Sequence, residues 1–361
     1  MERYKEKTII TPTGESLPLL INSNTGIPDI RSTLYILTQV RSKGKAAATI
    51  KYTLRNISFF KLLLQKYKMS EDFLVKRFEE GKIFKLFELE GIIEDCKFKL
   101  EDIASEIVSN NNPSWEKEFS LNSLEKFRKI NSNEIRKFVD RATAGNRLRA
   151  IRDYVIWLVD VHLSRLNTNS LNFITLKENI KDFKERIDAR IPSKSSRSLI
   201  EGKEGLSVEE SSHLFNLINR KSSNNPFRGE FLKSRNEVIF VWLIEFGLRK
   251  GELLNVKISD IDFRKKELKI IRRADDVEDP RPDKPNVKTR SRILAIPDKI
   301  MEITENYILD QRSKIRGAKK HEYLIVSSTE GKPLGLEAVA VMFRRLREKF
   351  PKLPDDFSAH T

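Results

Sequence analysis

Cysteine is almost missing: Cys96 stands alone in 361 residues, so no internal disulfide can form and a multi-cysteine zinc site is excluded. The N-terminus, MERYKEKTII, lacks the apolar core of a secretory signal. The longest uninterrupted apolar run, Val238 to Ile244, falls far short of the roughly 20 residues that span a bilayer. Low-complexity repeats, a glycine-rich phosphate loop and a clustered carboxylate set for Mg²⁺ are also absent. Glu90, Glu94 and Asp95 are neighbours, but helical spacing reads them as a solvated face. These absences set the expectation of a soluble chain of the reducing cytosol, with no membrane partner, no metal and no cofactor.

Positive charge is what the chain has in excess. Its 68 lysines and arginines against 52 acidic residues give a formal net charge of +16. Such an excess suits a polyanionic partner, because each phosphate neutralised releases condensed counterions. A charge excess that merely keeps the protein soluble is the plain alternative. The length predicts two domains at about 150 residues each, and 39% hydrophobic residues can build a core in both.

Residues 1–30 carry turn-forming stretches, TPTGESLPLL and NSNTGIPD, and read as an extended arm. Residues 31–190 read as helical. Ile50, Leu54, Ile57, Phe60, Leu64 and Tyr67 recur at intervals of three and four, one stripe of an amphipathic helix. A second helix is expected from Asn146 to His162, buried through Leu148, Ile151, Val155 and Leu158. Arg147, Arg149 and Arg152 would then crowd its first turns against the helix dipole, a cost that a phosphate or solvent could relieve. Residues 191–205, rich in Ser, Gly and Lys, read as a linker. Beyond it Ser207 and Glu210 form a capping-box signature, and NEVIFVWLIEF reads as a buried helix stopping at Gly247. LKIIRR (268–273), RILAIP (292–297) and the short YLIVS read as strands, with helices at 298–316 and 336–349. The second part is therefore mixed α and β.

Three constellations carry chemistry. In EFGLRKGELLNVKISDIDF, Arg249 emerges after Gly247 at the start of a short helix, where a guanidinium suits phosphodiester oxygens, and Glu252 lies one turn on to orient it or another arginine. The same pattern also describes an ordinary surface ion pair. The connection RRADDVEDPRPDKPNVKTRSR carries Lys284 and Lys288, then Arg290 and Arg292; a lysine there can protonate a leaving oxygen or simply face solvent. In FPKLPDDFSAHT, His360 would by itself pass as an exposed terminal residue.

Together, LSVEE, GLRKGELLNVKISDID, KTRSRILAIP and YLIVSSTEGKPLGLEAVAVMFRRL resemble the tyrosine recombinase family (phage-type integrases), most specifically through the GLRKGEL segment. AAATIKYTLRNISFF and NRLRAIRDYVIWLV look like two helices of that family's core-binding domain. The resemblance implies an α-helical N-terminal core-binding domain at 31–190 and a mixed α+β catalytic domain with a small antiparallel sheet at 206–361. It implies that Arg249 clamps a phosphate, that Lys288, favoured over Lys284 by its K-T context, is the general acid, and that His360 opens the H-x-x-R box. The implied activity is metal-free site-specific recombination or integration of double-stranded DNA through a 3′-phosphotyrosyl intermediate, in the cytoplasm at the nucleoid.

The sequence departs from the family pattern at Thr361, where neither the second arginine nor the nucleophilic tyrosine has appeared. The expectation is a truncated enzyme that binds DNA without cutting it, monomeric in solution where its relatives assemble as tetramers on DNA. The alternative is a non-catalytic DNA-binding accessory of a mobile element. An RNA-binding reading has no RNP-like or GxxG motif behind it, and a type IB topoisomerase would share the chemistry. Expected phosphate contacts are Lys43, Lys45, Lys51, Arg55, Arg147, Arg149 and Arg152 in the first domain, and Lys284, Arg290, Arg344 and Arg345 in the second.

Overall fold

A computed structural model of the chain describes residues 4–109, 137–193, 206–273, 276, 278–281, 284–285, 290–351, 353 and 357. It divides into two compact units, one of residues 1–7 and 18–196, the other of 8–17 and 197–361. The expected 191–205 linker falls largely outside the described residues.

The N-terminal stretch is more ordered than its loop-like composition suggests. Strands β1 (Tyr4–Ile10) and β2 (Ser16–Asn22) form a two-stranded sheet. The turn between them is closed by Gly14 N–H to the Thr11 carbonyl at 2.8 Å, with Gly14 at φ 77°. The expected extended arm is thus a hairpin, because TPTG supplies a turn and its flanks supply β-prone Ile and Leu.

In the first unit, helix α1 (Ile30–Tyr35) runs into a π-helical turn, Ile36–Arg41, and is followed by α2 (Ala47–Lys66), α3 (Glu71–Glu79), α4 (Leu86–Asp95) and α5 (Leu100–Ser109). The predicted stripe of α2 is the buried one: Ile50, Leu54, Ile57, Phe60 and Leu64 have almost no exposure, each contributing roughly 1.5–3 kcal/mol of burial. Helix α6 spans Arg141–Leu163, capped by Asp140, whose carboxylate accepts the Thr143 N–H at 2.8 Å. It therefore starts five residues earlier than expected. Arg147, Arg149 and Arg152 sit in its middle turns, so the unfavourable dipole placement read from the sequence does not arise. Helix α7 (Leu171–Arg190) packs along α6. The rings of Tyr35, Phe60 and Tyr154 meet edge to face between α1, α2 and α6. Below them Lys61, almost fully buried, is neutralised by Asp29 at 3.1 Å and Glu71 at 2.5 Å. Asp95 belongs to a similar internal group: it is buried and bound by Lys66 at 2.7 Å and Tyr67 at 2.9 Å. The solvated-face reading fails for it.

In the second unit, Ser207 caps α8 (Val208–Ile218) through the reciprocal bonds its sequence predicts, Ser207 Oγ accepting from Glu210 N at 3.1 Å and Glu210 accepting from Ser207 N at 2.8 Å. Helix α9 (Glu230–Glu245) buries nearly its whole girth around Trp242, whose Nε1 donates to Thr304 Oγ1 at 3.0 Å. A one-turn helix, α10 (Lys250–Leu253), leads into the antiparallel sheet β3 (Ile261–Asp262), β4 (Glu267–Ile270) and β5 (Arg292–Ala295). Its register pairs Ile261 with Leu268 and Leu268 with Leu294. The β4 strand ends earlier than expected, at Ile270, which pairs with Arg292, the first residue of β5; beyond it the Arg273 side chain binds Asp260. Helix α11 (Asp298–Asn306) continues as a π-helical turn, Tyr307–Gln311, and α12 covers Leu336–Lys349 as predicted. YLIVS is no strand: residues 323–326 make only isolated bridges, Tyr323 to Lys257 and Val326 to Pro333. It is nonetheless core, with Tyr323, Leu324, Ile325 and Val326 all buried.

Candidate functional site

Arg249 is presented by a sharp backbone reversal. Gly247, at φ 57°, ends α9 in a conformation that other residues enter only at a cost. The turn drives Leu248 into the core, where it is 2% exposed, and leaves the Arg249 side chain 55% exposed. The helix that follows is one turn long, so its dipole adds little, and the attraction for an anion rests on the guanidinium itself.

Beneath Arg249 lies a carboxylate that solvent does not reach. Glu252 is 1% exposed and accepts the Arg249 backbone N–H at 3.0 Å. Arg292, the first residue of β5, grips it from the other side, Nη1 at 3.2 Å from Oε1 and Nη2 at 2.9 Å from Oε2. That hydrogen bond raises the Arg292 pKa. The Arg249 Nη1 is 3.8 Å from the same carboxylate. A buried charge held by two cations is stable where a lone one would not be. The sequence left open whether Glu252 would orient Arg249 or another arginine; it contacts both. Arg292 was not singled out, although its place at the start of a predicted strand, level with the GLRKGEL segment, was the available signal.

This constellation lies inside a recognisable sequence domain. Residues 209–361 match the phage integrase family model. They form a phage integrase domain. No protein of curated function matches the chain. Among solved structures, it is similar to the Tn1549 transposon integrase in complex with a circular-intermediate DNA, 16% identical over 71% of this chain and 81% of that one, with a TM-score of 0.34. It is also similar to XerA recombinase, 18% identical over 81% of this chain and 80% of that one, with a TM-score of 0.32.

Other expected site residues of the integrase domain are distributed unevenly. Lys288 and His360 lie outside the described residues. The Lys284 ammonium is occupied by backbone carbonyls, Gly14 at 2.5 Å and Asp276 at 2.7 Å. Arg290, Arg344 and Arg345 are exposed, the last two on α12. The domain's two tyrosines, Tyr307 and Tyr323, show no exposure; the Tyr323 hydroxyl donates to Asp276 at 2.9 Å.

In the first unit the expected cationic set separates into exposed and engaged members. Lys43 and Lys45 project from the turn before α2, and Lys51 is half-buried. Arg55 is exposed but paired with Glu6 at 2.7 Å. Arg149 donates to Asn146 Oδ1 at 3.1 Å, and Asn146 in turn donates to the exposed Tyr52 hydroxyl at 3.1 Å, a polar group shared by α2 and α6 that the sequence did not reveal. Arg152 is bound by Asp153 and Asp188. Arg147 is the clear correction. It is 8% exposed, donates to the carbonyls of Cys96 at 3.0 Å and Phe98 at 2.6 Å, and lies 3.9 Å from the Phe59 ring centre. It is a core cation that ties α6 to the end of α4, not a phosphate contact.

Proposed function

We propose that the chain is a site-specific DNA recombinase or integrase, and that Arg249 binds the phosphodiester at which strands are exchanged. The observation that carries this reading is the Glu252-centred arrangement inside the phage integrase domain. An exposed guanidinium is pre-aimed by a buried carboxylate, and the carboxylate is itself fixed by the strand that follows the lysine-bearing connection. Lys288 lies four residues before Arg292, at most about 14 Å of extended chain, which supports it as the proton donor to the departing 5′ oxygen. The cations of the first unit that remain exposed, Lys43 and Lys45 above all, are the proposed phosphate contacts there, with Arg290, Arg344 and Arg345 in the integrase domain. Such contacts set position on a duplex without reading its sequence.

A second reading, a DNA-binding accessory without strand transfer, is favoured by one observation: both tyrosines of the integrase domain are sealed in its core. The test addresses both. Fluorescence anisotropy with a labelled duplex should show affinity falling about 10³-fold or more between 50 and 200 mM salt if six or more phosphates are contacted. Arg249→Ala should flatten the slope of log affinity against log salt by about 0.9, one phosphate's share. An affinity indifferent to salt overturns the DNA reading. A slope unchanged by Arg249→Ala overturns the role of that residue.

A further inference from the structure

The connection between β4 and β5 reads in sequence as a charged, solvated loop. The structure shows part of it folded down onto the integrase core. Asp276 takes the Lys257 ammonium at 2.9 Å and the Tyr323 hydroxyl at 2.9 Å. Further along, Asp279 and Arg281 are buried together, at 3% and 6% exposure. Arg281 donates from Nε and Nη2 to the two Asp279 oxygens, each at 2.8 Å. Its guanidinium lies 4.6 Å from the centre of the Tyr323 ring.

The remaining donor is the informative one. Arg281 Nη1 reaches the Leu254 carbonyl at 3.0 Å and the Leu334 carbonyl at 2.9 Å. Leu254 is the C-terminal cap of α10, the one-turn helix that begins at Arg249. A helix this short has no cooperative stability of its own, so its direction is set by what holds its ends. Glu252 and Arg292 hold the first end, and Arg281 satisfies a carbonyl that would otherwise be orphaned at the second. Leu334 precedes α12, so the same guanidinium joins α10, the connection and the entry to α12.

We propose that Arg281 is a positioning residue for Arg249: by holding the far end of α10 it fixes the direction in which the exposed guanidinium points. The proposal rests on the reading that Arg249 binds phosphate, and it extends the site to a residue outside the family motif. Arginine is required for a geometric reason. Its planar fork serves Asp279 and two carbonyls at once, whereas a lysine ammonium presents donors from a single point and can keep only the ion pair. Arg281→Lys thus preserves the buried charge pair and removes the link to α10.

Two measurements on the whole chain test this. Hydrogen exchange over residues 250–256 should accelerate about tenfold in Arg281→Lys, and unchanged protection there overturns the proposal. Duplex affinity in the same variant should fall about three- to tenfold, as for loss of one phosphate contact, but should not fall further when Arg249 is already alanine. An equal fall in both backgrounds means that Arg281 acts only through general stability, and overturns the proposal. If Arg249→Ala by itself leaves affinity and salt slope unchanged, the phosphate reading has failed, and the exchange result still decides whether Arg281 holds α10. Should Arg281→Lys not fold, the unsubstituted chain supplies the test by ¹⁵N NMR. Slowly exchanging, separately resolved Nη protons on Arg281 support the clamp, and a freely rotating guanidinium overturns it.

Discussion

Arg147 and Arg249 show how one residue type takes opposite roles according to what lies within hydrogen-bond reach. Arg147 faces two backbone carbonyls and a phenyl ring in the interior. Replacing it with methionine keeps the apolar stem and strands both carbonyls, which should cost about 2–4 kcal/mol. Thermal melting of the variant should show that loss, while duplex affinity measured well below the melting temperature stays unchanged. His321 is a third decisive residue. Its Nδ1 accepts the Tyr323 backbone N–H at 3.2 Å and its Nε2 meets the Gly331 carbonyl at 2.8 Å. Burial lowers its pKa; the Gly331 carbonyl and Asp279 pull it up, and Arg312 and Arg281 push it further down. The folded state therefore resists protonation that the unfolded state accepts near the ordinary histidine value of about 6.5. Stability is fully present above that value and declines as the pH falls below it, until the folded pKa is reached. The melting temperature of the chain should drop between pH 7 and pH 5.5, and His321→Gln should shrink that drop. None of this was legible in the sequence, where Arg147 looks like one more cation on a basic helix. Helical phase alone did not separate it from Arg149, because the carbonyls it meets come from a segment some 50 residues away.

At the scale of elements, periodicity served well wherever one stripe alone met the core. The α2 stripe, the capping box of α8 and the extent of α12 all follow from local pattern. Boundaries failed where long-range pairing decided them: β4 stops at Ile270, opposite the first residue of β5, and 323–326 stays out of the sheet while remaining fully buried. For the site, the sequence brought Arg249 and Glu252 together because they share one turn. Arg292 arrives from 40 positions beyond Glu252 and Arg281 from 27 beyond Leu254, and spacing cannot reveal such partners. The reversal at Gly247 is an element-scale hinge on which this arrangement depends. A Cβ there meets no atom within 4 Å, so the objection to alanine is backbone strain alone, about 1–2 kcal/mol. Gly247→Ala should lower the melting temperature by a few degrees and weaken duplex binding beyond what that loss explains, since the strain is relieved by moving Arg249.

For the molecule as a whole, the +16 charge is not spread as free cations. Some of the 68 lysines and arginines are paired internally, as Lys61 is with Glu71 and Arg281 with Asp279, which leaves the net charge unchanged but removes those cations from the surface. The fraction left to a polyanion is set by the exposed lysines and arginines, which composition alone does not identify. On the accessory reading, with both integrase-domain tyrosines out of solvent, the chain should retain a duplex without nicking it, whereas a recombinase nicks it. Incubation with supercoiled plasmid should yield no relaxed product and no protein–DNA adduct surviving SDS.

The carboxylate beneath Arg249 has one more effect. A guanidinium standing over a buried negative charge, even one that Arg292 partly balances, has already surrendered some of its pull before any nucleic acid arrives. On the proposed phosphate-binding role, Glu252 would both aim the arginine and temper it, so that a strand is held in one orientation but not irreversibly.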